Sequence, residues 1–464
     1  MTTHRNLPLV SIIIPTYNRS HVLATTLKSV LAQTYPALEI IVVDDGSTDD
    51  TETALSRFRG RIRYIKQVNQ GVEMARNRGI RVSTGDYLTF LDDDDLMMPD
   101  KIARQVKVLR SRPEVGLVHC RYHYIDKDGN LMETTGMLPQ GDVRRNLLWG
   151  CFPWSGGPLI RRECFDHIGE REHRDWYGDW GMWLRIALAG YEFSCVQEPL
   201  GCYRMVPGSM IDDKVANAER LVFSILDQVF ANWPLPDDIV AERNQIYSGW
   251  HFWISCRYYS GGRWDDAKRN LAAALTLRPE LLERPDDLPE LFYRDALSPR
   301  MRVHDPIKFI NDIFDHLPTA AEPVSQFRSR LLSRVYARLA MQNFGEGKIT
   351  EAKRQLVGLV AVELATEDLA DLLGKSVIGH ALGLPVGSVF RYVDTVFENL
   401  PTELNHVNPV RTRVRRALGG ANVACAFQDY FSGQWFMAGQ RVLTALRYHP
   451  ITLVTSVFKA VFQQ

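Results

Sequence analysis

The chain has no charge excess of either sign: 55 basic side chains balance 55 acidic ones over 464 residues. Without a basic field there is no electrostatic footprint for nucleic acid and no bulk attraction to an anionic membrane. Long hydrophobic runs are missing as well. No stretch approaches the roughly 20 apolar residues that span a bilayer, and Met1 to Pro8 lacks the apolar core of a signal peptide. The longest apolar tail, Ile451 to Phe462, is broken by Lys459 and reads as a packed or interfacial helix, which leaves room for peripheral membrane association only. The seven cysteines (Cys120, Cys151, Cys164, Cys195, Cys202, Cys256, Cys425) include no CxxC pair, and their odd number and scatter fit buried, reduced thiols. The expected location is the cytoplasm, with the inner face of the membrane as the one alternative.

What is present begins with Tyr87-Leu88-Thr89-Phe90-Leu91, a short apolar strand that ends in four consecutive carboxylates, Asp92 to Asp95. Four like charges at a strand end repel one another, and a divalent cation is the direct way to offset them. A solvated acidic turn is the plain alternative. The surrounding pattern decides between them. Leu9 to Ile14, Glu39 to Val43 and Ile62 to Ile65 read as further strands, separated by helical patterns over His21–Gln33 and Val72–Val82 and followed by a helix from about Asp100 to Arg110. This alternation predicts a mainly parallel sheet with both faces covered, in which ligands sit at the carboxyl ends of the strands.

Polar chemistry collects at those ends. Pro15-Thr16-Tyr17-Asn18-Arg19 follows the first strand, Asp44-Asp45-Gly46-Ser47 the second, and the acidic run the fourth. Tyr17 could stack on a base, Asp45 accept from its N–H edge, and Asp94 hold a cation against a diphosphate. No early glycine-rich phosphate loop is present, which argues against nucleotidyltransferase chemistry.

The segments VSIIIPTYNR, IIVVDDGSTDDT, NQG…ARNRGI and GDYLTFLDDDD, in this order over residues 9–95, resemble the inverting family 2 glycosyltransferases of the GT-A fold. The resemblance implies an α/β, Rossmann-like mixed sheet, a nucleotide-diphospho-sugar donor with UDP favoured, and Mn2+ or Mg2+ held through a DxD-type motif. It implies Asp94 as metal ligand, Asp93 near the ribose, Asp92 turned inward, Pro15, Thr16, Tyr17, Arg19 and Asp45 around the nucleotide, and Arg76 approaching the phosphates. More loosely, Gly156 to Arg162 is similar to the segment that returns the chain to the active site, and Tyr177 to Arg185 to the family's "EDYDLWLR" pattern. By that likeness Asp179 is the general base, with Asp175 and Glu172 as fallbacks. Gly178 stands where Glu is usual, and Val206 where a His often follows Arg204, which could itself pair with phosphate. Five tryptophans fall between 149 and 183, and among them Trp154 and Trp180 are the expected acceptor contacts, with Gly156 beside them.

Past Met210 the strand pattern stops. Domains of 1–230 (catalytic) and 231–464 (α-helical) are expected, with Trp233-Pro234-Leu235-Pro236 as linker or turn. Gly262…Ala267…Ala274…Pro279 recurs as Gly433…Ala438…Ala445…Pro450 and partly as Gly347…Ala352…Leu359, a spacing similar to tetratricopeptide-like helix pairs. The activity expected is metal-assisted, inverting sugar transfer to a glycan or lipid-linked hydroxyl in polysaccharide or cell-envelope synthesis. The alternative is a catalytically weak sugar-nucleotide-binding scaffold whose helical part binds a partner protein.

Overall fold

Strands covered on both faces read as unbroken apolar runs. All of β1 (Val10–Thr16) is buried, as are the last five residues of β2 (Leu38–Asp44), whereas the edge strand β3 (Arg63–Lys66) has exposed ends and β4 (Tyr87–Phe90) is again fully buried. In a computed structural model, which describes residues 7–169, 178–205, 215–284, 287–298, 301, 303, 305–362, 366–382, 389–400, 404 and 414, these four lie parallel in the order β3-β2-β1-β4. Their carboxyl ends therefore share one edge. The sheet continues with β5 (Leu96–Met97), β6 (Val115–Ile125), β7 (Leu131–Thr134), β8 (Leu159–Arg161) and β9 (Glu192–Arg204), in the order β4-β8-β6-β9-β5 with β7 beside β6. β8 runs antiparallel to both β4 and β6, so the sheet is mixed.

Successive side chains of a strand point to opposite faces. Ile13 of β1 joins Leu88, Phe90 and Leu117 under the helix Gly178–Leu188, while Ile12 and Ile14 pack with Leu23, Leu27, Ile102 and Val106 from the helices Ser20–Leu31 and Lys101–Ser111.

The chain divides into two compact units, Met1–Pro279 and Glu280–Gln464. The helices Val215–Asn232 and Arg243–Ser260 lie in the first: Val222, Ile225, Leu226, Val229, Ile246 and Trp250 complete the core under Gly178–Leu188, and Trp250 Nε1 donates to the Leu148 carbonyl. The expected domain boundary at 230/231 thus falls inside a helix, and Trp233 and Leu235 pack on that same core in a tight connection.

Two of the three spaced repeats form helical hairpins. Arg243–Ser260 turns at Gly262 (φ 70°) into Trp264–Leu277 and buries Ala267 and Ala274; in the second unit Arg328–Gly345 turns at Gly347 (φ 76°) into Ile349–Val360 and buries Ala352 and Leu359. The repeat over 433–450 and the tail over 451–462 lie outside the described residues. Among the described residues no helix is long and apolar enough to cross a membrane, and none of the six described cysteines forms a disulfide.

Candidate active site

Hydrogen bonds tie the strand tips together. Asn18, the one described non-glycine residue with positive φ (53°), accepts at Oδ1 from the Thr48 N–H (2.8 Å), and its own N–H donates to Ser47 Oγ (2.9 Å), joining the β1 and β2 loops. Asp45 accepts from Gln67 Nε2, Gln70 N and Gly71 N at 2.7–2.9 Å, which fixes the loop leading into the helix Val72–Val82. Thr16 Oγ1 donates to Asp93 Oδ2 (2.6 Å) and so binds β1 to the acidic run. Above this frame Tyr17 is 47% exposed, and Pro15 is buried one residue short of the β1 tip.

Arg76 links this edge to the rest of the cleft. Its guanidinium is buried and bonds Asp92 Oδ1 (2.5 Å), Ser155 Oγ (3.0 Å), Glu73 Oε1 (2.9 Å) and Asp179 Oδ1 (3.3 Å). Burial works against its charge, but Asp179, Asp92 and Glu73 outweigh that and hold it firmly protonated. Arg76, expected to approach the phosphates, spends its Nη1 and Nη2 donors here on carboxylates and a hydroxyl. Asp179, in the first turn of the helix Gly178–Leu188, consequently lies one guanidinium away from the acidic run. The fallback bases Glu172 and Asp175 lie outside the described residues, as does Val206.

The four carboxylates differ from one another. Asp93 is pushed up to about 7, chiefly by burial, with the Thr16 hydrogen bond opposing and the Asp94 charge adding. Asp94 is raised by burial and by Asp92, against the pull of Arg19, whose Nη1 is 3.8 Å from Asp94 Oδ2. Asp95 is fully buried and raised well above the usual carboxylate range by burial and its neighbours' charge. Its oxygens accept from Trp154 Nε1 (2.5 Å) and from the Arg204 N–H (2.8 Å).

Arg204, expected to pair with phosphate, is anchored on the protein. Its side chain donates to the carbonyls of Asp94, Asp126 and Lys127 and pins the acidic loop to β6 and β9. Trp154 and Trp180, the expected acceptor contacts, are both buried. Trp154 is buried against Gly156 and Gly201, where a Cβ would come within 2.4 Å and 2.3 Å of its ring, so Gly156 serves to admit the indole. Trp180 is buried against Trp250 (ring centroids 4.7 Å apart) and donates to the Leu147 carbonyl. The sequence reading missed Glu73 and Ser155; a carboxylate three residues before Arg76 on one helix face was the signal available for the first.

Among the described residues no three His, Cys, Asp or Glu side chains already surround a common point. A divalent cation still fits Asp94: the donors are hard oxygens, burial and mutual repulsion withhold full charge from them, and Mg2+-type sites usually take one or two carboxylates together with substrate phosphates.

Residues 11–169 match the model of the family "Glycosyl transferase family 2". The chain is similar to an uncharacterized glycosyltransferase of Rickettsia conorii (42% identical over 145 residues, 31% of this chain and 24% of that protein) and to the putative teichuronic acid biosynthesis glycosyltransferase TuaG of Bacillus subtilis (30% identical over 225 residues, 47% and 86%). It thus spans well under two thirds of the Rickettsia relative. A mannosyltransferase from Pyrobaculum calidifontis, solved in complex with GDP-Man and Mn2+, is similar at 18% identity and TM-score 0.43, over 67% of this chain and 88% of that one.

Proposed function

The chain belongs to glycosyl transferase family 2 and folds as a GT-A-type mixed sheet followed by helices, and we propose that it transfers a sugar from a nucleotide diphosphate donor, UDP favoured, to a glycan or lipid-linked hydroxyl with inversion. The observation that carries this reading is the placement of Asp179 on the same guanidinium as Asp92, at the carboxyl edge of the parallel strands.

The nucleotide lies over the β1 and β2 tips, its base on Tyr17 and against Asp45, its ribose toward Asp93 and its diphosphate toward Asp94 and Arg19. Asp94 would hold a Mn2+ or Mg2+ ion, which would supply positive charge to offset that of the departing diphosphate. The acceptor oxygen attacks the anomeric carbon from the face opposite the leaving group. Asp179 removes the hydroxyl proton as that bond forms, and the anomeric C–O bond breaks with its electron pair leaving on the nucleotide diphosphate. Arg76 orients Asp179 for this role through the hydrogen bond from its Nη1 to Asp179 Oδ1. The relative TuaG is named for teichuronic acid synthesis, which supports an envelope polysaccharide as the acceptor class here.

The test is turnover by purified full-length protein with UDP-glucose, UDP-galactose, UDP-N-acetylglucosamine and GDP-mannose, Mn2+, and p-nitrophenyl glycosides as acceptors, reading nucleotide diphosphate and product mass. At least one donor should turn over, and Asp179→Asn or chelation of the metal should abolish it. Turnover indifferent to Asp179→Asn would refute the assignment.

A further inference from the structure

We propose that Trp149 is a stacking platform for an acceptor glycan, so that the enzyme binds a chain of several sugar rings and not a lone sugar. The inference deepens the transferase reading above and rests on it. Of the five tryptophans between 149 and 183, Trp154, Trp180 and Trp183 are buried and Trp176 lies outside the described residues, whereas Trp149 is 42% exposed. Looseness does not account for that exposure. Trp149 ends the short helix Arg144–Trp149, whose Leu147 and Leu148 are fully buried and give their carbonyls to the indole N–H groups of Trp180 and Trp250. Its own Nε1 donates to Glu242 Oε2 (3.2 Å), and its ring rests on Gly249, where a Cβ would come within 3.2 Å of it. The indole is therefore held at its N–H and along one edge, with part of its surface left in water.

An exposed aromatic ring whose polar atom is already satisfied gains from a ligand with an apolar face. A sugar ring has such a face in its C–H bonds, with hydroxyls around the rim. The surroundings suit that rim: Arg145 pairs with Asp238 and lies 3.6 Å from Glu242 Oε2, and these three side chains are 43%, 67% and 31% exposed. The guanidinium supplies donors and the carboxylates acceptors, and a hydroxyl uses both. Two acids to one base do not suit an anionic lipid surface, which attracts clustered cations. Chain connections join the platform to the cleft. Trp180, which bonds the Leu147 carbonyl, directly follows Asp179, and Ser155, six residues past Trp149, accepts from the guanidinium that holds Asp92 and Asp179. Six residues of chain reach at most about 20 Å, a distance that a few linked sugars cover. The platform thus takes a distal ring of the acceptor while Asp179 meets its terminal hydroxyl.

The test reads binding and turnover separately on the full-length protein. Free malto-, chito- and manno-oligosaccharides of increasing length are titrated, without donor, into wild type labelled with 5-fluorotryptophan, whose Trp149 fluorine resonance is the one missing from Trp149→Phe. That resonance should shift with at least one series, and affinity should rise with the number of rings. Trp149→Ala should weaken binding of the longest chain about tenfold and flatten the dependence on length, while Trp149→Phe, which keeps an aromatic face, should retain most of it. With the donor found above, Trp149→Ala should raise the KM for that oligosaccharide about tenfold with little change in kcat. A resonance that answers to no sugar, one that answers only to phosphatidylglycerol vesicles, or a length dependence that survives in Trp149→Ala would overturn the proposal. Should Trp149→Ala fail to fold, the wild-type resonance decides alone. Donor turnover without any sugar response at Trp149 would overturn the platform and leave the transferase reading standing. Sugar binding at Trp149 in a protein that turns over no donor would instead overturn the transferase reading.

Discussion

The two ends of the acidic run are three residues apart and do different work. Asp92 bonds a buried arginine that also holds Asp179 and Glu73, and it keeps some contact with solvent. Asp95 is fully buried, and an indole and a backbone N–H hold it. Counting carboxylates in the sequence makes them equivalent; their donors separate them. A charged partner shared with the candidate base marks the end that serves chemistry, and neutral donors from Trp154 and β9 mark the end that secures the loop.

Arg76→Ala attacks the first end and should have the largest effect. It leaves three carboxylates without their common cation, so we expect a stability loss of about 3–5 kcal/mol in denaturant titration, together with loss of turnover in the surviving folded protein. Ser155→Ala, which removes only one neutral acceptor from that guanidinium, should cost about 1 kcal/mol and sharpen the contrast between charged and neutral partners.

At the second end, Trp154→Phe removes the indole N–H from a fully buried carboxylate and should cost about 1–3 kcal/mol, read as a lower midpoint in urea. Gly156→Ala forces a methyl into the same indole and should cost about 1–3 kcal/mol through overpacking.

Acid should reveal a pH dependence away from both ends. His119 on β6 is fully buried, bonds the Pro139 carbonyl through Nε2, and is held by burial down at about 4. Its folded value lies below the unfolded one near 6.5, so the neutral ring's contribution is fully present above pH 6.5 and is lost as pH falls toward 4. Urea midpoints of wild type should decline over that window, and His119→Gln should flatten the decline.

Much of the frame was legible from sequence because burial on both faces leaves unbroken apolar runs, as in β1, β2 and β4. β9 was not, since Pro199 interrupts it and its register against β6 shifts there, which erases any simple periodicity. Asp45 and Asp94 could be proposed because strand-end loops concentrate ligand chemistry, whereas Asp92, Asp93 and Asp179, the last in the first turn of a helix, came only from the resemblance. The packing of Trp154 and Trp180 was not legible because composition does not say which face of an indole is covered: both spend their N–H on the protein and their rings on neighbouring glycines or tryptophan. The protein partners of Arg76 and Arg204 were hidden for a related reason, as an arginine suited to phosphate is equally suited to carboxylates and carbonyls.

Asp179→Asn and Asp95→Asn, assayed side by side for donor turnover and for urea midpoint, bear most directly on the division of labour within this site. The account predicts that Asp179→Asn loses turnover by about a hundredfold to ten-thousandfold at an almost unchanged midpoint, while Asp95→Asn lowers the midpoint and keeps turnover per folded molecule. The reverse pattern, or equal losses of turnover in both, would contradict it.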